Sequence, residues 1–239
     1  MKINFNLFVL ALSLALFSCN KTEVSVSEKS SITNDGIFSG KIVNYSSTAI
    51  DSIKSVKSSN SSLLDKSKVT TDGKFSMSLS TPILRKIGSK KGIIISDTTA
   101  LIGNLEELYT YKNGSRTGVI RKCNFTTDSV NSAGMSNSAF IYADRAITVK
   151  GTELYSYTFG DYSENSTLNY NITLKKGWNE LVVKIDAFSQ TTTSVTSTNS
   201  ATNIITSDLQ WRYFEVSNDY DVKQKAKRQS GLKSLGLLR

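Results

Sequence analysis

Hydrolysis of a glycosidic bond needs two carboxyl groups facing each other, one to protonate the leaving oxygen and one to attack or to activate water. The acids that could supply such a pair are Glu106, Glu107, Asp144, Glu153, Asp161, Glu164 and Glu180. Their spacing sets no two of them together, and scattered acids read first as solvated surface positions. Asp161, Glu164 and Asn165 offer oxygens to a calcium ion but lack the spacing and glycine of an EF-hand loop, so a plain turn accounts for them. No histidine occurs in the 239 residues, which removes His-ligated metal sites, Ser-His-Asp triads and Cys-His dyads. Neither a catalytic constellation nor a metal or cofactor is therefore expected.

Aromatic residues form a sharper set. Tyr155, Tyr157 and Phe159 alternate along one strand and so share a face, and Trp178 begins another strand. Exposed, such rings are flat platforms for sugar rings, and Tyr155, Tyr157 and Trp178 are the candidate ligand-binding residues. Buried, the same stripe is one face of a sandwich core, and sequence does not separate the two. Trp211 and Tyr213 share a face with Leu209 and read as core.

The elements that must carry these residues read as strands. Hydrophobic residues make up 38% and aromatics 9% of the chain, with 14 Gly and a single Pro, Pro82, so collagen-like and Pro-rich disordered chains are excluded. Leu168, Tyr170, Ile172 and Leu174 alternate with polar residues, as do Leu181, Val183 and Ile185 beyond the turn at Lys175-Lys176-Gly177. Asp72-Gly73 and Asn113-Gly114 sit between strand-like runs, where both predict two-residue type I′ hairpin turns. Further strands are predicted over 37–45, 50–57, 92–95, 139–143, 147–150, 153–159, 178–188 and 204–216, with a helical turn over 83–87. The uncharged Ser/Thr-rich stretch 189–203 reads as a long exposed loop. Many short strands with turn signals between them predict an all-β chain of antiparallel β-sandwich domains, one small (34–82) and one larger (83–216).

The N-terminus supplies the address. Lys2 is followed by an apolar run over 7–17, about half of the ~20 residues that span a bilayer, and Leu16-Phe17-Ser18 lead into Cys19. This stretch resembles a bacterial lipoprotein signal of the Bacteroidota type. The resemblance implies cleavage after residue 18, a lipid on Cys19, residues 19–33 as a flexible tether, and an outer-membrane lipoprotein of the cell envelope. With Cys19 acylated, Cys123 has no disulfide partner; sharing strand parity with Val119 and Phe125, it reads as an inert buried thiol. Surface-exported members of this lineage place acids after the cysteine, whereas Asn20-Lys21-Thr22-Glu23 holds one, leaving the membrane face undecided. The same lineage implies O-glycosylation at Asp-Ser/Thr tripeptides, of which Asp51-Ser52-Ile53, Asp97-Thr98-Thr99 and Asp128-Ser129-Val130 are three, making Ser52, Thr98 and Ser129 candidate acceptors.

The segment Gly40-Lys41-Ile42-Val43, with Ile53, Val56 and Thr71-Asp72-Gly73-Lys74-Phe75, resembles the carboxypeptidase regulatory-like, transthyretin-like sandwich domains of envelope proteins. The likeness covers about 45 residues, rests on turn chemistry, and implies architecture alone. Of the formal charge of +9, about +4 sits in the tail 217–239, where six cations stand against Asp219 and Asp221. The rest is mildly basic without a stripe, so no nucleic-acid partner is expected. Taken together, the chain reads as a non-catalytic, lipid-anchored binding or structural module whose partners are a membrane and either a glycan or an envelope protein. A lipid-anchored glycan hydrolase with paired carboxylates is the alternative.

Overall fold

The computed structural model describes residues 30–56, 63–105, 107–127 and 131–215; Cys19, Ser129, the signal, most of the tether, Glu106 and the basic tail lie outside them. Within this range the protein is all-β. In chain order the strands are β1 Ile37–Lys41, β2 Ser52–Val56, β3 Leu63–Lys68, β4 Lys74–Ser78, β5 Arg85–Lys86, β6 Ile93–Ile95, β7 Leu101–Asn104, β8 Leu108–Lys112, β9 Ser115–Cys123, β10 Ser136–Ala143, β11 Ile147–Phe159, β12 Tyr162–Leu174, β13 Gly177–Gln190, β14 Ser194–Thr202 and β15 Gln210–Glu215. β1 and β4 form a two-stranded sheet; the other strands belong to one thirteen-stranded sheet with the main path β3-β2-β8-β9-β10-β13-β14-β12-β11-β6.

Two main cores hold this arrangement. In the first, the small sheet covers the large one: Phe38 and Phe75 meet Phe140 and Trp211, with Phe38 edge-on to Phe140 at 4.9 Å and to Trp211 at 5.2 Å between ring centroids. Such pairs add about 0.5–1.5 kcal/mol each beyond the area they bury. Gly40 permits the contact, since a Cβ there would lie 2.3 Å from the Trp211 ring. The second core unites Ile102 of β7, Ile141 and Ala143 of β10, and Val149, Leu168, Tyr170, Ile172, Leu174, Leu181 and Ala201 of β11 to β14.

These contacts revise the predicted division near Pro82. β2 pairs with β8, and residues from both sides of Pro82 share the aromatic core, so segment 34–82 has no core of its own. The tether is also shorter at its end than predicted. Ile32 is buried and bridges to Phe38, while Ser30 and Ser31 donate to the Glu180 carboxylate at 3.0 and 2.6 Å, so residues 30–33 belong to the body. Lys122 closes the same site at 2.9 Å and Ser138 at 2.6 Å. Glu180 is thus a buried ion with four donors, the condition under which a buried charge is tolerated.

The two predicted turns differ. At Asn113-Gly114 both residues have positive φ, 49° and 81°, as a type I′ turn demands. At Asp72-Gly73 only Gly73 does, with φ 81°, and the Gly73 N–H donates to the Thr70 carbonyl; this is a three-residue loop closed by a glycine bulge. The run 83–87 holds the short strand β5 instead of a helical turn, pairing with β7. The predicted loop 189–203 is largely strand β14. Its Thr and Val residues suit a pleated surface, and it inserts between β12, in parallel, and β13, antiparallel.

Candidate functional site: an exposed aromatic blade

β13, β14, β12 and β11 lie side by side as a four-stranded blade whose lower half belongs to the second core and whose upper half projects beyond it. β11 shows the change along one face. Ile147 and Val149 are buried; Gly151 and Glu153 are half-buried; Tyr155, Tyr157 and Phe159, of the same parity, are exposed by 52%, 46% and 74%. Two features pin the junction. Gly151, at φ 123°, lets the Gly92 carbonyl approach to where a Cβ would stand 2.1 Å away. Glu153 is held by Lys90 and accepts the Tyr170 hydroxyl at 2.9 Å. Burial, and then the adjacent Glu153 carboxylate, push the Tyr170 phenol up from its ordinary value.

Strand register fixes what shares the aromatic face of the blade. Tyr155 stands beside Ser166, Ser197 and Phe188 across the four strands; Tyr157 stands beside Glu164, Val195 and Gln190; Phe159 pairs with Tyr162, itself exposed. Rows of this kind are about 7 Å apart along the strands and strands about 4.8 Å apart across them. The polar members are mutually bonded: Ser197 donates to Ser166 Oγ at 3.0 Å, and Asn199 Nδ2 donates to the same oxygen at 3.1 Å. The surface therefore offers ring faces and phenol hydroxyls beside an ordered strip of hydroxyls and amides. That composition suits stacking against a flat apolar face combined with short hydrogen bonds. One carboxylate, Glu164, lies within it.

Trp178 is not part of this surface. Its ring is 3% exposed and meets Tyr142 edge-on at 5.7 Å. From Trp178 to Phe188, which is level with Tyr155, β13 runs ten residues, about 33 Å. An aromatic at the start of a strand falls at the base, where the core is; the platform lies at the other end.

Of the candidate acids, Glu107, Asp144, Glu153 and Glu180 are each engaged by a cation. Glu180 is buried with its four donors, Glu153 is paired with Lys90, and Arg121 reaches Glu107 at 3.3 Å. Arg145 bridges Asp97 at 3.3 Å and Asp144 at 2.9 Å. Hydrogen bonds and this guanidinium hold both carboxyls below the usual range: from Thr99 first for Asp97, from Arg145 first for Asp144. Glu164 and Asn165 point to opposite faces of β12, and Asn165 accepts from Ser156 at 2.8 Å, so the two share no ion site. Among the described residues no group of three or more acids or cysteines is placed to hold a metal. Cys123 is buried, its thiol 3.4 Å from the Phe125 carbonyl.

Of the tripeptide acceptors, Thr98 is exposed in a turn, while Ser52 is half-buried in β2 between β3 and β8, its hydroxyl donating to Asp51 at 2.7 Å. The polar strip of Ser166, Ser197 and Asn199 was not anticipated, because 189–203 read as a loop; the alternation of Val195, Ser197 and Asn199 with threonines and Ser200 is the signal that could have found it. No protein-family model, no curated protein and no solved structure matches the chain.

Proposed function

We propose that this protein is a non-catalytic cell-envelope module, anchored through a lipid on Cys19, that binds its ligand on the aromatic face of the blade. The single observation that carries the binding reading is the exposure of Tyr155, Tyr157, Phe159 and Tyr162 together on one face. An apolar patch held out from the body, rimmed by polar side chains, is costly to solubility and marks an interaction site. The ligand is a glycan or an envelope protein: rings stack on the apolar face of a sugar, and the bonded Ser/Asn strip supplies hydroxyl-matching donors and acceptors. The engagement of Glu153, Glu180, Glu107, Asp97 and Asp144 in ion pairs supports a non-catalytic role. The outer-membrane address rests on the N-terminal segment alone, and of the two described acceptors, Ser52 and Thr98, it is Thr98 that is exposed for an O-glycan.

Two measurements test the reading. The wild-type chain, screened against envelope glycans and envelope extracts, is expected to retain a ligand that a Tyr155→Ala/Tyr157→Ala variant releases; equal retention by both would remove the blade from the account. Cys19→Ala is expected to abolish fatty-acid labelling and membrane fractionation, and unchanged labelling would remove the anchor.

A further inference from the structure

The blade has two sides, and they are unequally defended. β11 pairs with β12 without a break from Ile147↔Leu174 to Phe159↔Tyr162, but on its outer side it meets β6 only at Val149, Lys150 and Gly151. The last bonds on that side are from Ser96 N–H to the Thr148 carbonyl, 3.1 Å, and from Thr152 N–H to the Gly92 carbonyl, 3.0 Å. Even-numbered residues of β11 therefore turn their backbone groups outward, because direction alternates along an antiparallel strand. Continuing the alternation, Leu154, Ser156 and Thr158 present N–H and C=O groups that no described strand takes up.

Natural edges are guarded by Pro, Lys, a bulge or a cover. Residues 153–159 carry no Pro, Lys or bulge, and among the described residues no strand pairs along their outer edge: the sequence Glu-Leu-Tyr-Ser-Tyr-Thr-Phe has one charge, on Glu153, and that charge is spent on Lys90. The opposite side of the blade differs. β13 carries a bulge between Ile185 and Ala187 and the charges of Lys184 and Asp186, 3.7 Å apart.

We propose that the outer edge of β11 pairs antiparallel with the same edge of a second copy, about a two-fold axis at Ser156. A two-fold requires one residue to face itself, and that residue must turn its backbone outward, which leaves Leu154, Ser156 or Thr158. Centring on Leu154 sets Thr158 of one copy against Lys150 of the other, whose edge β6 already occupies. Centring on Thr158 sets Leu154 against Tyr162, beyond the turn at Gly160-Asp161. Ser156 alone uses the free edge on itself. Leu154 of one copy then faces Thr158 of the other, Tyr155 faces Tyr157, and Glu153 faces Phe159, so no like charges oppose and two aromatic cross-strand pairs form. The axis is normal to the sheet, and the tyrosine rows of both copies join on one face. Ser156 and Thr158 turn their side chains away from the tyrosine face, so the pairing is tested there without altering the rings and the two proposals are distinguishable.

The test uses the full-length chain in detergent, followed by sedimentation across a concentration series. The wild type is expected to dimerise, and Ser156→Pro, which removes the central N–H, is expected to weaken dimerisation at least about tenfold. Register is read by cysteine cross-linking, with the wild type controlling for Cys19 and Cys123. Ser156→Cys is expected to form an intermolecular disulfide, since facing Cα atoms lie about 5.5 Å apart, within the reach of a disulfide. Thr158→Cys is expected not to, its two copies standing about 13 Å apart. A wild type monomeric at every concentration, a dimer that survives Ser156→Pro in full, or equal cross-linking at 156 and 158 would each overturn the proposal. So would a monomer that instead takes up a synthetic strand peptide, which would assign the edge to a different partner.

Discussion

The lower and upper halves of the blade are built from the same four strands, and comparing them separates what makes a strand from what makes a core. Along β12, Leu174, Ile172, Tyr170 and Leu168 are buried, while Glu164 and Tyr162, on the same side, are half-buried and exposed. Backbone pairing continues unbroken through the change. What ends is the cover: β7 and β10 lie against the lower half, and among the described residues no strand does so above Glu153. Hydrogen-bond registry can thus carry a sheet past the edge of its core, provided the side chains there tolerate water. β12 and β14 meet that condition with Ser, Asn and Thr; β11 does not, keeping Tyr155, Tyr157 and Phe159.

Substitutions can break or sharpen this contrast, and the largest effect is expected at the base. Glu180→Ala leaves the Lys122 ammonium buried at 6% side-chain exposure without its partner, and releases Ser30 and Ser31. A loss of about 3–5 kcal/mol is expected in urea unfolding. Next comes Ile172→Ala, where a fully buried side chain leaves a cavity and about 2–5 kcal/mol should go. Gly151→Ala, at the junction, forces a Cβ against the Gly92 carbonyl at positive φ. About 1–3 kcal/mol is expected, together with faster amide exchange in β6, as that strand is pushed off β11. Should exchange in β6 stay protected, β6 does not depend on the close approach at Gly151.

A smaller effect lies in pH. The folded state holds the Tyr170 proton more tightly than an unfolded chain, whose tyrosine titrates near 10.0. This contribution is therefore complete below about pH 10 and is lost as pH rises beyond it. Tyr213, raised mainly by burial, acts in the same direction. Tyr170→Phe is expected to flatten the alkaline fall in stability; an unchanged profile would show that other groups drive it. The smallest change is expected from Tyr157→Ala, within about 0.5 kcal/mol of wild type, since the ring is exposed. A loss comparable to that of Ile172→Ala would mean that the upper half is packed against something.

Three of the four strands of the blade, β11, β12 and β13, were legible because period-2 alternation reports on the backbone whether or not a core is present. Leu168 to Leu174 and Leu181 to Ile185 are where sequence and structure agree. What alternation does not report is cover, and so the stripe at Tyr155 and Tyr157 reads first as core, because a sandwich strand must bury one face, and only second as a platform. Trp178 joined that set because aromatic type was visible and position along the strand was not. β14 was missed because Ser and Thr signal exposed loops as readily as the wet face of a strand; its place is decided by parallel pairing with β12, a contact about 31 residues distant in sequence. Segment 34–82 looked independent because its hairpin is local, whereas its core partners Phe140 and Trp211 come from far along the chain.

Ligand retention by the Tyr155→Ala/Tyr157→Ala chain, measured beside its urea midpoint, tests the binding role of the blade most directly. Retention of envelope glycan or protein is expected to disappear while the midpoint stays at the wild-type value. Retention unchanged at an unchanged midpoint would show that the exposed aromatic face is not where this protein binds.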